Sequence, residues 1–148
     1  MLPKQAKPRA TVLVVDDSPE MVRYLQSLLE LESYRVETAS NGLEALRRLT
    51  EGSEPDVVLL DLEMPYLDGL RTLKCLRTLR PKLKVIICSG VADPSKRQQA
   101  TDLGVEVCLE KPVHHLYLTA ALERCLEPQP ARFSRAATIV PLRPSSLQ

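Results

Sequence analysis

Tryptophan is absent and phenylalanine occurs once, so aromatics are only 3% of the 148 residues. That scarcity excludes a core organised on large rings and leaves Val, Leu, Ile and Ala to fill it. Long apolar runs are missing too. No stretch approaches the roughly 20 residues of a membrane span, and the first apolar run, about five residues, ends in two aspartates rather than a cleavage site. We therefore expect a cytoplasmic chain with no membrane partner. The four cysteines (Cys75, Cys88, Cys108, Cys125) contain no Cys-x-x-Cys spacing, which excludes the common metal and redox patterns and reads as small buried thiols in a reducing compartment. Neither sign of charge dominates: 20 basic and 19 acidic side chains leave +1. The basic residues Lys4, Lys7 and Arg9 sit at the start and Arg132, Arg135 and Arg143 near the end. The body between is mildly acidic, which does not suggest a nucleic-acid-binding domain.

What is present is a repeated pattern of short apolar runs that end in polar groups. Val57 to Leu60 runs into Asp61; Thr11 to Val15 delivers Asp16 and Asp17; Val85 to Cys88 delivers Ser89; Val105 to Leu109 delivers Glu110 and Lys111. Runs of this length read as strands buried on both faces. If they lie parallel, their C-terminal ends share one edge, which is where open α/β sheets bind ligands.

Between the runs lie helix signals. Ser18-Pro19-Glu20 opens a helix to about Ser33 with Met21, Leu25, Leu28 and Leu29 at helical spacing, and Tyr34 to Ala39 alternates as a strand. Ser40-Asn41-Gly42 leads into a helix carrying Leu43, Leu46 and Leu49. Asp68-Gly69 caps another with Leu70, Leu73, Leu76 and Leu79, and Asp93-Pro94 opens a fourth with an almost wholly polar body, expected to be weakly held. A last helix turns Leu118, Leu122 and Cys125 inward. Strand and helix alternate five times, which predicts an α/β fold with a five-stranded parallel sheet and helices on both faces. The expected organisation is a loose lead-in at 1–9, one domain at 10–126, and a Pro-rich tail at 127–148 without the periodicity of a folded segment.

Carboxylates gathered on one edge repel each other, and a divalent cation relieves them. Mg²⁺ suits the case, because it takes one or two carboxylates and keeps several waters. Lys111 then supplies a point charge for a phosphate oxygen and Ser89 a hydroxyl donor, a set that matches phosphoryl transfer with Asp61 as nucleophile. Each residue alone has an ordinary reading as a cap or turn; their joint appearance at four strand ends does not. His114 and His115 have no evident partner and read as surface or first-turn residues of the last helix.

These residues carry a resemblance. Asp16-Asp17, Asp61 within Asp-Leu-Glu-Met-Pro-Tyr-Leu-Asp-Gly, Ser89-Gly90 and Lys111-Pro112 resemble the receiver domain of two-component response regulators, the single-domain chemotaxis regulator among them. The resemblance implies a flavodoxin-like doubly wound sheet of order 2-1-3-4-5. It also implies phosphorylation of Asp61 by a sensor histidine kinase or phosphotransfer protein. Asp17, Asp61 and the backbone carbonyl of Glu63 would hold Mg²⁺, with Asp16 acting through water. Ser89 and Lys111 would hold the phosphoryl group, and the Lys111–Pro112 bond would be cis.

Two departures bear on regulation. The aromatic switch residue of the family, three positions before the lysine, is Cys108 here, so the switch partnered by Ser89 lacks its ring. Glu63 and Val91 hold positions that in the family tune loss of the phosphoryl group. On the last helix, Leu116 and Ala120 fall opposite Leu118 and Leu122 with Tyr117 at the flank, a strip expected to face solvent and dock a downstream protein or a second copy. The expected function is a phosphorylated signalling domain that turns over no external substrate and makes no direct nucleic-acid contact. Two alternatives are a phosphorylation-independent docking module and a haloacid-dehalogenase-like aspartyl phosphatase. The phosphatase would place an aspartate two residues after its nucleophile, where this chain has Glu63.

Overall fold

The computed structural model describes residues 7–90 and 93–127. Val91, most of the expected lead-in and nearly all of the expected tail lie outside the described residues. The elements run β1 (Thr11–Val15), α1 (Pro19–Leu31), β2 (Arg35–Ala39), α2 (Gly42–Thr50), β3 (Val57–Asp61), α3 (Gly69–Leu79), β4 (Lys84–Ser89), α4 (Pro94–Asp102), β5 (Val107–Glu110) and α5 (His115–Leu126). All strand pairs are parallel, in the order β2-β1-β3-β4-β5. This is the five-stranded parallel sheet expected from the alternation of strand and helix, in the flavodoxin-like order that the resemblance implied.

The period-2 geometry of a strand explains why the runs are apolar throughout. Val12, Val14, Val57, Leu59, Ile86 and Cys88 pack with Leu25 and Leu29 of α1 and Leu118, Leu122 and Cys125 of α5. Their neighbours Leu13, Val15, Val58, Leu60, Val85 and Ile87 pack on the other face with Leu49 of α2 and Leu73 and Leu76 of α3. Each fully buried Leu or Ile contributes about 1.5–3 kcal/mol relative to exposure, so the aliphatic side chains suffice without rings.

Helix starts follow the side chains that cap them. Ser18 accepts from the Met21 amide at 3.2 Å, Asn41 from Glu44 at 2.8 Å and Asp68 from Arg71 at 2.9 Å. Asp93 accepts from the amides of Ser95 at 2.9 Å and Lys96 at 3.4 Å. These bonds satisfy amides that the first helical turn leaves unpaired.

Gly69 is required for a close approach. A Cβ there would lie 2.5 Å from the Asp61 carbonyl oxygen and 2.4 Å from the Leu62 Cα, so the first turn of α3 touches the backbone at the end of β3. Gly69→Ala is expected to destabilise the fold by about 2–3 kcal/mol, as overpacking against backbone does, measurable by urea denaturation.

Several expectations on individual residues are corrected. β5 begins at Val107 rather than Val105, because the Val105 amide bonds the Ala100 carbonyl at 3.3 Å in the turn that Gly104 makes at φ +83°. Cys75 is exposed on the outer face of α3 and Cys108 only half-buried, so the buried-thiol reading holds for Cys88 and Cys125 alone. Burial pushes the Cys88 thiol up to about 12 and the Cys125 thiol up to about 11. Leu43 and Leu79 lie at the open ends of their helices and face solvent.

The polar body of α4 leaves Ala100 as its one buried residue. Its C-terminal end is tied instead by Arg77 of α3, which donates to the carbonyls of Leu103 at 2.6 Å and Gly104 at 2.9 Å, and to Leu83 across the next loop. Arg77→Met is expected to speed amide hydrogen exchange in α4 by at least about tenfold while leaving β1 and β3 protected, because local opening is set by the few contacts that hold an element.

Candidate functional site

The strand register brings the polar ends of the runs together. Val15 is level with Leu60, Asp61 with Cys88, and Ser89 with Glu110. The residues that follow β1, β3, β4 and β5 therefore meet at one edge of the sheet.

Asp16 is buried, and its carboxylate is held from two sides. Oδ1 accepts from the Ser18 amide at 2.9 Å, and Oδ2 accepts from Lys111 Nζ at 2.9 Å. Asp61 is buried as well, and its Oδ1 lies 3.4 Å from Lys111 Nζ and accepts from the Glu63 amide at 3.1 Å. Asp17 is exposed beside them. One carboxylate oxygen from each of Asp16, Asp17 and Asp61 lies within 4.8 Å of the others. The Lys111 ammonium thus pairs with two of three clustered carboxylates.

That imbalance appears in the proton affinities. Burial, followed by the charge of Asp16, pushes the Asp61 carboxyl up to about 6, against the downward pull of Lys111 and of the Glu63 amide. Burial on its own would lower the Lys111 ammonium, but the hydrogen bond to Asp16 and the charges of Asp61 and Asp16 outweigh it and raise the group above its ordinary value. A hard divalent cation with oxygen donors fits this set, since it would neutralise the excess charge that three clustered carboxylates hold against each other.

Ser89 stands at the end of β4, only 6% exposed. Its hydroxyl donates to the Glu63 carboxylate, lying 2.9 Å from Oε1 and 3.0 Å from Oε2. The Lys111–Pro112 bond is cis, as the resemblance implied.

With this geometry in view, the sequence profile of the response regulator receiver domain matches residues 12–123. The chain belongs to the response regulator receiver family. This receiver is 40% identical over 115 residues to the transcriptional regulatory protein CpxR homolog of Haemophilus influenzae, covering 78% of this chain and 49% of that protein. It is 42% identical over 101 residues to the transcriptional regulatory protein KdpE of Mycobacterium tuberculosis, covering 68% and 44%. It therefore spans about half the length of the curated relatives it matches. Among solved structures, a receiver domain from Clostridium thermocellum superposes with a TM-score of 0.75 at 34% identity, over 79% of this chain and 94% of that one. The chemotaxis protein CheY4 of Vibrio cholerae superposes with 0.73 at 30%, over 79% and 98%.

In this receiver the expected site residues Asp16, Asp17, Asp61, Ser89 and Lys111 converge. Cys108 lies on β5, half-buried, among residues packed against the α2 and α3 side of the sheet. Leu116 and Tyr117 are 66% and 68% exposed and Ala120 is exposed, so the strip read on the last helix does face solvent. Three contacts were not expected. The Glu63 side chain reaches Ser89, a contact the sequence did not indicate, although the resemblance had marked the position and its carbonyl. His115 is not partnerless: its Nε2 lies 3.2 Å from Glu32 Oε2, and His114 Nδ1 caps α5 by accepting from Leu116. Among the described residues no helix is long and apolar enough to cross a membrane.

Proposed function

We propose that this receiver accepts a phosphoryl group on Asp61 from a sensor histidine kinase or phosphotransfer protein in an Mg²⁺-dependent reaction, signals through protein–protein contacts, and turns over no external substrate. The observation that carries the reading is the buried Asp61 carboxylate, with Lys111 Nζ 3.4 Å from Oδ1 and two further aspartates gathered beside it.

The chemistry follows from what each group can do. An Asp61 carboxylate oxygen attacks phosphorus and forms the new P–O bond while the bond from phosphorus to the donor's leaving atom breaks, its electron pair leaving with the donor. Lys111 neutralises charge on the transferred oxygens, and Ser89 Oγ donates a hydrogen bond to one of them. Asp17, Asp61 and the backbone carbonyl of Glu63 would hold Mg²⁺, with Asp16 acting through water; when bound, Mg²⁺ supplies charge neutralisation and orientation of the phosphoryl oxygens.

A histidine-phosphorylated phosphotransfer domain or acetyl phosphate, supplied with Mg²⁺, tests the reading by phosphate-affinity gel electrophoresis. A retarded band that disappears on EDTA treatment before addition of the donor is expected. An unretarded band with both donors contradicts it.

The output surface proposed with it is the exposed strip of α5, Leu116, Tyr117 and Ala120, presented to a downstream protein or a second copy. Leu116→Glu is expected to weaken that association by about 1–2 kcal/mol, the scale of one buried apolar contact, as read by sedimentation of the phosphorylated protein.

A further inference from the structure

Building on the phosphoacceptor reading, we propose that the Glu63 carboxylate is a latch on Ser89, which holds the hydroxyl in the unphosphorylated chain and must release it before a phosphoryl group on Asp61 can be gripped. Both carboxylate oxygens lie within hydrogen-bond reach of Ser89 Oγ, at 2.9 and 3.0 Å. A hydroxyl has one proton to donate, so it cannot serve Glu63 and a phosphoryl oxygen together. The two acceptors also carry the same sign of charge, and among the described residues no cation forms an ion pair with Glu63. Arrival of the phosphoryl group therefore drives the Glu63 side chain out.

The backbone is built to let only the side chain move. The Glu63 amide is tied to Asp61 Oδ1 at 3.1 Å, while the residue itself is only partly buried. Glu63 is a positioning residue: it acts on the phosphoryl group through Ser89.

The test uses beryllofluoride, a phosphoryl mimic, titrated by ¹⁹F NMR at saturating Mg²⁺ into the full chain and into Glu63→Ala, Glu63→Gln, Ser89→Ala and the Glu63→Ala/Ser89→Ala pair. Glu63→Ala is expected to bind about tenfold more tightly, the scale of one charge-assisted hydrogen bond released. Glu63→Gln, which keeps an acceptor but loses the charge, should fall between. In the Ser89→Ala background the Glu63→Ala gain should shrink to less than about threefold, the coupling that a double-mutant cycle isolates. An equal gain in both backgrounds, or none in either, overturns the latch. Calorimetric Mg²⁺ titration without beryllofluoride should change less than about threefold in Glu63→Ala, because the backbone carbonyl remains; a loss of tenfold or more would make the side chain a metal ligand and overturn the proposal. Failure of the wild type and all variants to bind beryllofluoride overturns the phosphoacceptor reading itself, and the latch with it.

Discussion

Asp61→Asn is expected to raise the melting temperature of the metal-free protein at pH 7.5 by roughly 5–10 °C, although it removes the residue most central to function. The cause is the uneven charge at the sheet edge. Burial and the neighbouring Asp16 push the folded-state Asp61 carboxyl from its ordinary 3.8 up to about 6. A carboxyl raised on folding binds its proton more tightly in the native state, so its ionisation opposes folding. The penalty is absent below about pH 4, grows as pH rises toward 6, and is complete above that, where a shift of about two units corresponds to about 2–3 kcal/mol. Asparagine keeps the shape and removes the charge, and Lys111 retains Asp16 at 2.9 Å. The stability difference between the two proteins should therefore vanish on acidification to pH 4. Added Mg²⁺ should stabilise the wild type, by binding the folded state alone, and the variant much less. Thermal melts at pH 4, 6 and 7.5 with and without Mg²⁺ read all three outcomes; a variant that melts below wild type at pH 7.5 would show that the carboxylate is not strained by its neighbours.

Lys111→Met carries the second large effect, in the opposite direction. The ammonium is the one cation within ion-pair distance of Asp16 and Asp61 among the described residues. Its removal leaves both buried carboxylates uncompensated, at a cost of about 3 kcal/mol at neutral pH. That loss should ease as pH falls through 6 and above, since Asp61 takes up a proton instead of remaining charged. Phosphoryl uptake from acetyl phosphate should slow by about 10²–10³-fold at saturating Mg²⁺, the scale of losing one preorganised charge at the transferring group. Mg²⁺ affinity should hold or rise, because a competing cation has gone. The separation matters: a variant that loses Mg²⁺ binding and phosphorylation together would point to local unfolding rather than to a role at the phosphoryl group. A rate within threefold of wild type would remove Lys111 from the chemistry.

The architecture was legible because the runs are apolar on both faces, and only a strand covered by helices on each side needs that pattern. Asp16, Asp61, Ser89 and Lys111 were legible for a related reason: a charge or hydroxyl at the end of such a run sits where parallel strands all point. Side chains that reach sideways along the edge left no periodic signal. Glu63 is one, since its contact with Ser89 depends on the path of the loop after β3 and on the β3–β4 register, neither of which the spacing of residues encodes. The His115 contact left no signal either, because its partner Glu32 lies 83 positions away at the end of α1. The misplaced start of β5 has a local cause: Val105 is apolar like a strand residue, but its amide is used to close the end of α4. Cys75 was misread because two buried leucines, Leu73 and Leu76, flank it on a helix whose turn carries it outward.

The most direct test of the central claim is intact-mass spectrometry after incubation with acetyl phosphate and Mg²⁺, followed by borohydride reduction and peptide mapping. An acyl phosphate on aspartate is reduced to homoserine, so the bond itself is located. The account predicts one added phosphoryl group, dependent on Mg²⁺ and absent from Asp61→Asn, and homoserine at position 61 and nowhere else. An unchanged mass in the wild type, or homoserine at Asp16 or Asp17 in place of position 61, would contradict it.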